Sequence, residues 1–414
     1  MAMLLLALCI LAAVHASVNG EVQKPTLLKP SENDFQKYAR PPDVTSYTHV
    51  LVSAVHSAAE KLRNTEGITV SNQYVLTDVT ILVIERTDQA LQILQAMRGI
   101  RSVEGDILQS AFQCYSQDLT KIDGLWNLAR TNWRDPVHYP KYFQHEFDGA
   151  DTTVYLVDVG VFSEHFDFQG RVTHGYTVPS LEEEGDVIGH GTHCAGTILG
   201  TIFGAAKSAK MISVKVLDKI GRGRPSECID GLNWILNDYR NKSDDGRNNY
   251  KAVVSMPLAY HDSKAINEII LEMYKFGLLT VGAAGNSGQS ARAYSPASSP
   301  VSITVAASDK NNKLARFSNY DESVDIIAPG VDILSTDIQS NGYVSKHSGT
   351  SIATCLVTGA VLRFLSQAHT KQTPDDVRKW LNETSTKGVI SWTDVFEGQH
   401  AGTPNRFLYQ PCHL

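Results

Sequence analysis

From residue 154 onward, short continuous apolar runs alternate with helical stretches, and no other feature of this chain restricts its fold as tightly. Runs at 154–157 (VYLV), 211–217 (MISVKVL), 253–258, 278–284 (LLTVGAA), 303–307 and 324–328 have the length of strands. Between or after them, helical patterns are predicted at 226–237, 264–276 with Gly277 as a stop, 352–368 and 374–382. A strand that is apolar on both sides must be covered on both sides. The pattern therefore predicts an α/β fold of three layers, with helices flanking a mostly parallel central sheet. In such sheets the working site lies at the carboxyl ends of the strands.

A smaller pattern precedes it. Strand-like segments at 46–53, 68–75, 79–85 and 100–104 enclose helical segments at 54–63 and 88–97, giving βαββαβ. That order predicts a small α+β ferredoxin-like domain, and it carries no residue cluster suited to chemistry. Residues 21–45 hold Pro25, Pro30, Pro41 and Pro42 among polar residues and read as an extended leader. At the N-terminus, 4–14 reads LLLALCILAAV, a secretory signal too short to span a bilayer. Cleavage is expected after Ala16 or after Gly20, although no Lys or Arg precedes the apolar run. No later stretch approaches membrane-spanning length, so the mature chain is expected to be soluble.

The mild acidity, 44 acidic against 37 basic residues among 414, gives no basic field for nucleic acid, and 42% hydrophobic content argues against disorder. Secretion gives the cysteines meaning. Cys9 leaves with the signal, and Cys114, Cys194, Cys228, Cys355 and Cys412 remain, an odd number. No close Cys pair suggests zinc. Asn241 and Asn382 open N-x-S/T triplets and are glycosylation candidates.

Four elements carry chemistry. Asp158 ends the run VYLV directly, where a functional carboxylate belongs, although a turn former would stand there equally well. Gly189-His190-Gly191-Thr192-His193-Cys194-Ala195-Gly196 opens a helix, and a histidine held there suits a general base. No HExxH glutamate accompanies His190 and His193, so His193 reads as a satisfied helix residue. Ser348-Gly349-Thr350-Ser351-Ile352-Ala353-Thr354 leads into an apolar helix. A serine at that start is either an N-cap or a nucleophile beside free backbone N–H groups. In Ala283-Ala284-Gly285-Asn286-Ser287, the Asn286 amide is placed to donate to a developing oxyanion.

Together these motifs resemble the subtilase family of serine proteases, most closely its proteinase K branch. VYLVDVG, GHGTHCAG, AAGNS, YSPAS, ITVAASD, RFSNY, DIIAPG and SGTSIAT stand in family-like order and spacing over about 126–408. The resemblance implies that Asp158 orients the imidazole, His190 is the base, Ser351 attacks, and Asn286 with the Ser351 N–H holds the oxyanion. It implies that Pro257, Leu258, Ala259, Ala283 and Gly285 contact a polypeptide substrate, and that the small domain is an inhibitory propeptide acting on its own enzyme.

The implied division is a signal at 1–20, a propeptide at 21–113 and a catalytic domain at 114–414. Self-processing is expected between Gln113 and Cys114. Pro300, Ser302 and Asp325 match positions at which relatives hold a structural Ca2+ through two carbonyls and a carboxylate. Cys194 matches a free cysteine of the branch, leaving Cys114, Cys228, Cys355 and Cys412 with three possible pairings. The expected protein is a secreted, monomeric endopeptidase.

The departures are Val159 for a hydroxyl residue, Cys355 and Leu356 after GTSxAT, and Pro257-Leu258-Ala259-Tyr260 for Ser-Leu-Gly-Gly. The lost Val159 hydroxyl should cost about 1 kcal/mol. The Pro-Leu-Ala stretch is similar to a proprotein convertase relative whose cleaved propeptide stays bound, without that protein's Cys-rich tail. A secreted binding protein on the same scaffold, cleaved once and then inhibited, is the alternative.

Overall fold

The structure, a computed structural model, describes residues 49–75, 79–105, 114–118, 125–135, 141–145, 148–178, 180–181, 185–244, 250–368, 370–392, 400 and 402–411. The expected signal, the leader and Gln113 lie outside them. The chain forms two compact units, Met1–Ser110 and Ala111–Leu414.

The first unit runs β1 (His49–Ala54), α1 (His56–Arg63), β2 (Val70–Val75), β3 (Thr80–Glu85), α2 (Asp88–Ala96) and β4 (Ile100–Gly105). Its four strands pair antiparallel in the order β2-β3-β1-β4, the ferredoxin-like arrangement. Alternation decides which side is buried. Leu82 and Ile84 of β3 point with Val52 and Ala54 of β1 onto Ala58, Ala59 and Leu62 of α1 and Ala90 and Leu94 of α2. The Thr87 hydroxyl caps α2 by accepting from the Ala90 N–H at 3.0 Å.

The second unit begins with β5 (Cys114–Asp118), α3 (Trp126–Asn132), β6 (Lys141–His145), β7 (Thr152–Asp158), β8 (Val172–Thr177), α4 (His190–Leu199) and β9 (Lys210–Lys215). It continues with α5 (Pro225–Asp244), β10 (Lys251–Met256), β11 (Tyr260–His261), α6 (Lys264–Lys275), β12 (Leu279–Ala283), β13 (Tyr294–Ser295), β14 (Ile303–Ser308) and β15 (Ile326–Pro329). Last come β16 (Ile333–Thr336), β17 (Val344–His347), α7 (Thr350–Gln367), α8 (Pro374–Thr384), β18 (Thr386–Lys387) and β19 (Arg406–Phe407).

Nine of these strands form one sheet in the order β18-β19-β15-β14-β12-β10-β7-β9-β8. Every pairing within it is parallel except β18 with β19. β7 shows why both faces are covered. Val154 and Leu156 enter the cluster formed with α4 and α7, while Tyr155 and Val157 enter the one formed with α5 and α6. Ile266, Ile270 and Met273 turn one stripe of α6 to the sheet, and Gly277, at φ +89°, ends the run with a conformation few other residues adopt. α7 is buried nearly all round, as a helix at the centre of a domain must be.

After β7 the chain builds β8 and β9 on one side and β10 onward on the other, so strand order reverses between β7 and β10. A crevice opens at such a reversal, outside the carboxyl ends of the strands. Asp158 ends β7 there, and Pro257 follows β10 directly.

Candidate active site

The Asp158 carboxylate is almost fully buried and both its oxygens lie 2.9 Å from His190 Nδ1. Oδ1 also accepts the Val159 N–H at 2.7 Å, so the residue that lacks the expected hydroxyl still holds the carboxylate through its backbone. Desolvation alone would lower the His190 pKa. The attraction of Asp158, with the Cys194 thiol acting in the same direction, outweighs it and raises the pKa well above the ordinary histidine value. His190 opens α4 and its ring is about one third exposed, facing the crevice.

What fixes the start of α4 is Asp186, which sequence reasoning missed. Its Oδ1 accepts the N–H groups of Ile188 and Gly189 at 2.9 and 2.8 Å, and its Oδ2 accepts from the N–H and hydroxyl of Thr192, both at 2.8 Å. A carboxylate here satisfies first-turn donors and complements the helix dipole. The signal was present, an Asp four residues before the helix-opening histidine. The glycine after His190 is a matter of space, because a Cβ on Gly191 would stand 1.9 Å from the Gly160 carbonyl oxygen. His193 is a core residue but only half satisfied: its Nε2 meets the Ile333 carbonyl at 3.0 Å and its ring stacks on His347 at 4.3 Å, while its buried Nδ1 has no hydrogen-bond partner among the described residues.

Ser351 lies in the first turn of α7, where the Ile352 and Ala353 N–H groups turn back to the Gly349 carbonyl at 3.2 and 3.3 Å. Asn286 Oδ1 accepts from both the Thr350 N–H and the Thr350 hydroxyl at 2.8 Å, which commits the amide oxygen and turns its NH2 outward. A Cβ on Gly349 would stand 2.7 Å from Ser351 Oγ and 3.4 Å from Asn286 Nδ2. The missing side chain is therefore what keeps the space between these two groups open. Thr350 also ties Gly285 in place, its hydroxyl oxygen accepting the Gly285 N–H at 3.1 Å.

His190, Ser351 and Asn286 line one cleft of about 270 Å³ with Pro257, Leu258, Ala259, Ala283 and Gly285, and with Ser287, Tyr294 and Thr350, which sequence reasoning did not single out. Residues 257–259 belong to no strand. They leave an unpaired backbone edge on the cleft before Tyr260 and His261 pair with β13. Tyr260 packs against the core cluster on the α5 and α6 face of the sheet, with its hydroxyl beside the Cys228 thiol and Gly223.

The cysteines require a correction. Cys228 and Cys355 were open as disulfide partners, yet both are buried free thiols, as is Cys194. Cys228 packs on the α5 face of the sheet and Cys355 on the α7 face, so they cannot meet. Cys355 instead faces Cys194, each thiol a hydrogen-bond partner of the other. Burial raises all three thiol pKa values, that of Cys228 to about 12, which makes them inert packing groups. Cys114 begins β5, and its side chain, like Cys412, lies outside the described residues.

Pro300, Ser302 and Asp325 come together away from the cleft, around a second pocket that also contains Arg378. They do not fit the expected calcium ion, because Arg378 donates to the Ser302 carbonyl at 2.7 Å and to Asp325 Oδ1 at 3.0 Å. Asn241 on α5 and Asn382 on α8 are exposed. Among the described residues no helix is long and apolar enough to cross a membrane.

An imidazole held by a buried carboxylate, a serine at a helix start and an amide donor in one cleft are the equipment of acyl transfer. Residues 149–405 match the Subtilase family, peptidase S8. An alkaline proteinase of Hapsidospora chrysogena is 35% identical over 367 residues, covering 86% of each chain. A cuticle-degrading serine protease of Arthrobotrys oligospora is 35% identical over 299 residues, 70% of this chain and 68% of that one. The crystal structure of a cold adapted subtilisin-like serine proteinase superposes with a TM-score of 0.62 at 31% identity, covering 70% of this chain and 98% of that one. The chain belongs to the subtilase family of serine proteases.

Proposed function

We propose that the protein is a secreted serine endopeptidase made as a zymogen, with Asp158, His190 and Ser351 as its catalytic residues. The observation that carries this reading is the single cleft that joins His190, already held by Asp158, to Ser351, Asn286 and the open edge at 257–259. An extended polypeptide adds to that edge through its backbone; Pro257 offers only its carbonyl, and Leu258 and Ala259 offer both groups. Ser351 Oγ then attacks the scissile carbonyl carbon, and its proton passes to His190. The negative oxygen accepts from Asn286 Nδ2 and the Ser351 N–H. Collapse of the adduct expels the amine, which takes the proton from His190, and water repeats the sequence on the acyl-enzyme.

Among the described residues, those lining the cleft include no Asp, Glu, Lys or Arg. It therefore lacks a group to bind a substrate terminus, which favours cleavage within chains and beside uncharged side chains. The ferredoxin-like unit is read as a propeptide that the enzyme removes from itself between Gln113 and Cys114. Secretion rests on the N-terminal apolar run, and exposed Asn241 and Asn382 are its glycosylation sites. The working form is a monomer.

A fluorophosphonate probe, which reacts with activated serines, should label Ser351 in the processed protein once the propeptide is removed, and tryptic mapping locates the adduct. A processed protein that stays unlabelled after propeptide removal would instead be a binding protein on a protease scaffold. Asn286→Ala should lower kcat by about 10²–10³ with little change in KM, the loss known for the equivalent donor in a subtilisin. Asn286→Asp keeps the oxygen that holds Thr350 but lacks the donor, so it should lose as much. A loss confined to KM would remove Asn286 from the oxyanion site.

A further inference from the structure

We propose that the Arg378 guanidinium occupies the position of the structural cation at Pro300, Ser302 and Asp325, so that this part of the fold carries its own positive charge and does not depend on calcium. The geometry is that of a filled site. Nη1 donates to the Ser302 carbonyl at 2.7 Å and Nη2 to Asp325 Oδ1 at 3.0 Å. The other carboxylate oxygen, Oδ2, accepts the Thr304 N–H at 2.9 Å. A calcium ion takes six to eight oxygen ligands at about 2.3–2.6 Å. Here both carboxylate oxygens and the Ser302 carbonyl already accept hydrogen bonds, and a fixed positive charge stands against Oδ1 and that carbonyl, where it repels a second cation.

Arg378 is delivered rigidly. It lies in the second turn of α8, whose start is locked by a reciprocal cap in which the Thr373 hydroxyl accepts the Asp376 N–H at 3.2 Å and Asp376 Oδ2 accepts the Thr373 N–H at 2.9 Å. Pro374 begins the helix, where its fixed φ suits it. The planar fork bridges two acceptors on separate segments, the turn before β14 and the turn before β15, as a metal ion would, and adds α8 as a third body. The turn before β14 continues back to Tyr294, which lines the cleft. The tie thus holds the far end of a segment whose near end forms the substrate wall.

The neighbouring charges leave the assignment intact. Lys264, Asp262, Arg292 and Glu322 line the same pocket, and Arg292 is paired with Glu322. Sequence reasoning missed Arg378 because it stands 53 residues from Asp325 and reads, on its own, as one more charged residue on an amphipathic helix.

Thermal unfolding of the processed protein, blocked with a fluorophosphonate against autolysis, tests this directly and reads out no activity. Excess chelator should leave the Tm of the unsubstituted protein unchanged with respect to this site. Arg378→Ser, which frees both acceptors, should unfold several degrees lower in chelator and regain much of that loss as calcium is titrated in; Arg378→Ser combined with Asp325→Asn should not respond. Arg378→Lys should remain indifferent to chelator. A calcium-dependent Tm in the unsubstituted protein that disappears in Asp325→Asn overturns the proposal, as does an Arg378→Ser protein whose response to calcium matches the unsubstituted one. If Arg378→Ser yields no folded protein, Asp325→Asn alone decides: a calcium response it leaves unaltered supports the arginine, and one it abolishes refutes it.

Discussion

Ser351→Ala is expected to reduce kcat on a peptide substrate by about six orders of magnitude, the scale seen when the nucleophile of a subtilisin is removed. The size follows from the site. Ser351 Oγ borders the gap above Gly349 that Asn286 Nδ2 also borders, whereas the neighbouring Thr350 hydroxyl is engaged with Asn286 Oδ1. What survives is binding along 257–259 and oxyanion stabilisation, a residual that others of this class retain over water. The same change should leave the precursor uncut between Gln113 and Cys114. Kinetics on the isolated protein and its N-terminal sequence check both parts. A residual activity within tenfold of the parent would place the nucleophile elsewhere. Normal processing of isolated Ser351→Ala protein would assign the cut to another protease.

Asp158→Asn should cost about 10⁴ in kcat while leaving the fold intact. The substitution is nearly isosteric at a side chain that is almost fully buried, and the Val159 N–H retains an amide oxygen to bond. The chemistry changes because an amide NH2 facing His190 Nδ1 stabilises the tautomer with its proton on the wrong nitrogen. A pH effect accompanies the loss. The base must be neutral, so activity falls as pH drops through the His190 pKa. The Asp158 carboxylate raises that pKa, and without it the acidic limb of the kcat/KM profile should move to lower pH. A limb that stays in place or moves upward would mean that Asp158 does not control the imidazole.

The sheet was readable because its central strands are apolar on both faces: 154–157 sits inside β7 and 303–307 inside β14, each within a residue or two of the observed ends. β8 was not readable. It lies at the sheet edge with one fully buried residue in six and a sequence, VTHGYT, that has no apolar run. The strands of the short ribbons were missed for a related reason, since two to five residues carry no periodicity of their own. The motifs around Asp158, His190, Asn286 and Ser351 were legible as chemistry because each combines a functional side chain with a strand end or helix start. Thr350 and Arg378 were not, because they act through partners that only the folded chain brings near, whereas Asp186, whose partners lie within six residues of it, left a local signal. The Cys355 pairing failed on the same point. Spacing cannot tell that a cysteine one turn behind a serine looks across at another one turn behind a histidine.

That last arrangement has a use of its own. Cys194 and Cys355 are sealed on facing helices, each rooted one turn beneath a residue that must stay in register with the other. A thiol reagent in solution can reach them only when α4 and α7 part. The rate at which a small alkylating agent enters therefore clocks how often the two halves of the site come apart, with no probe installed.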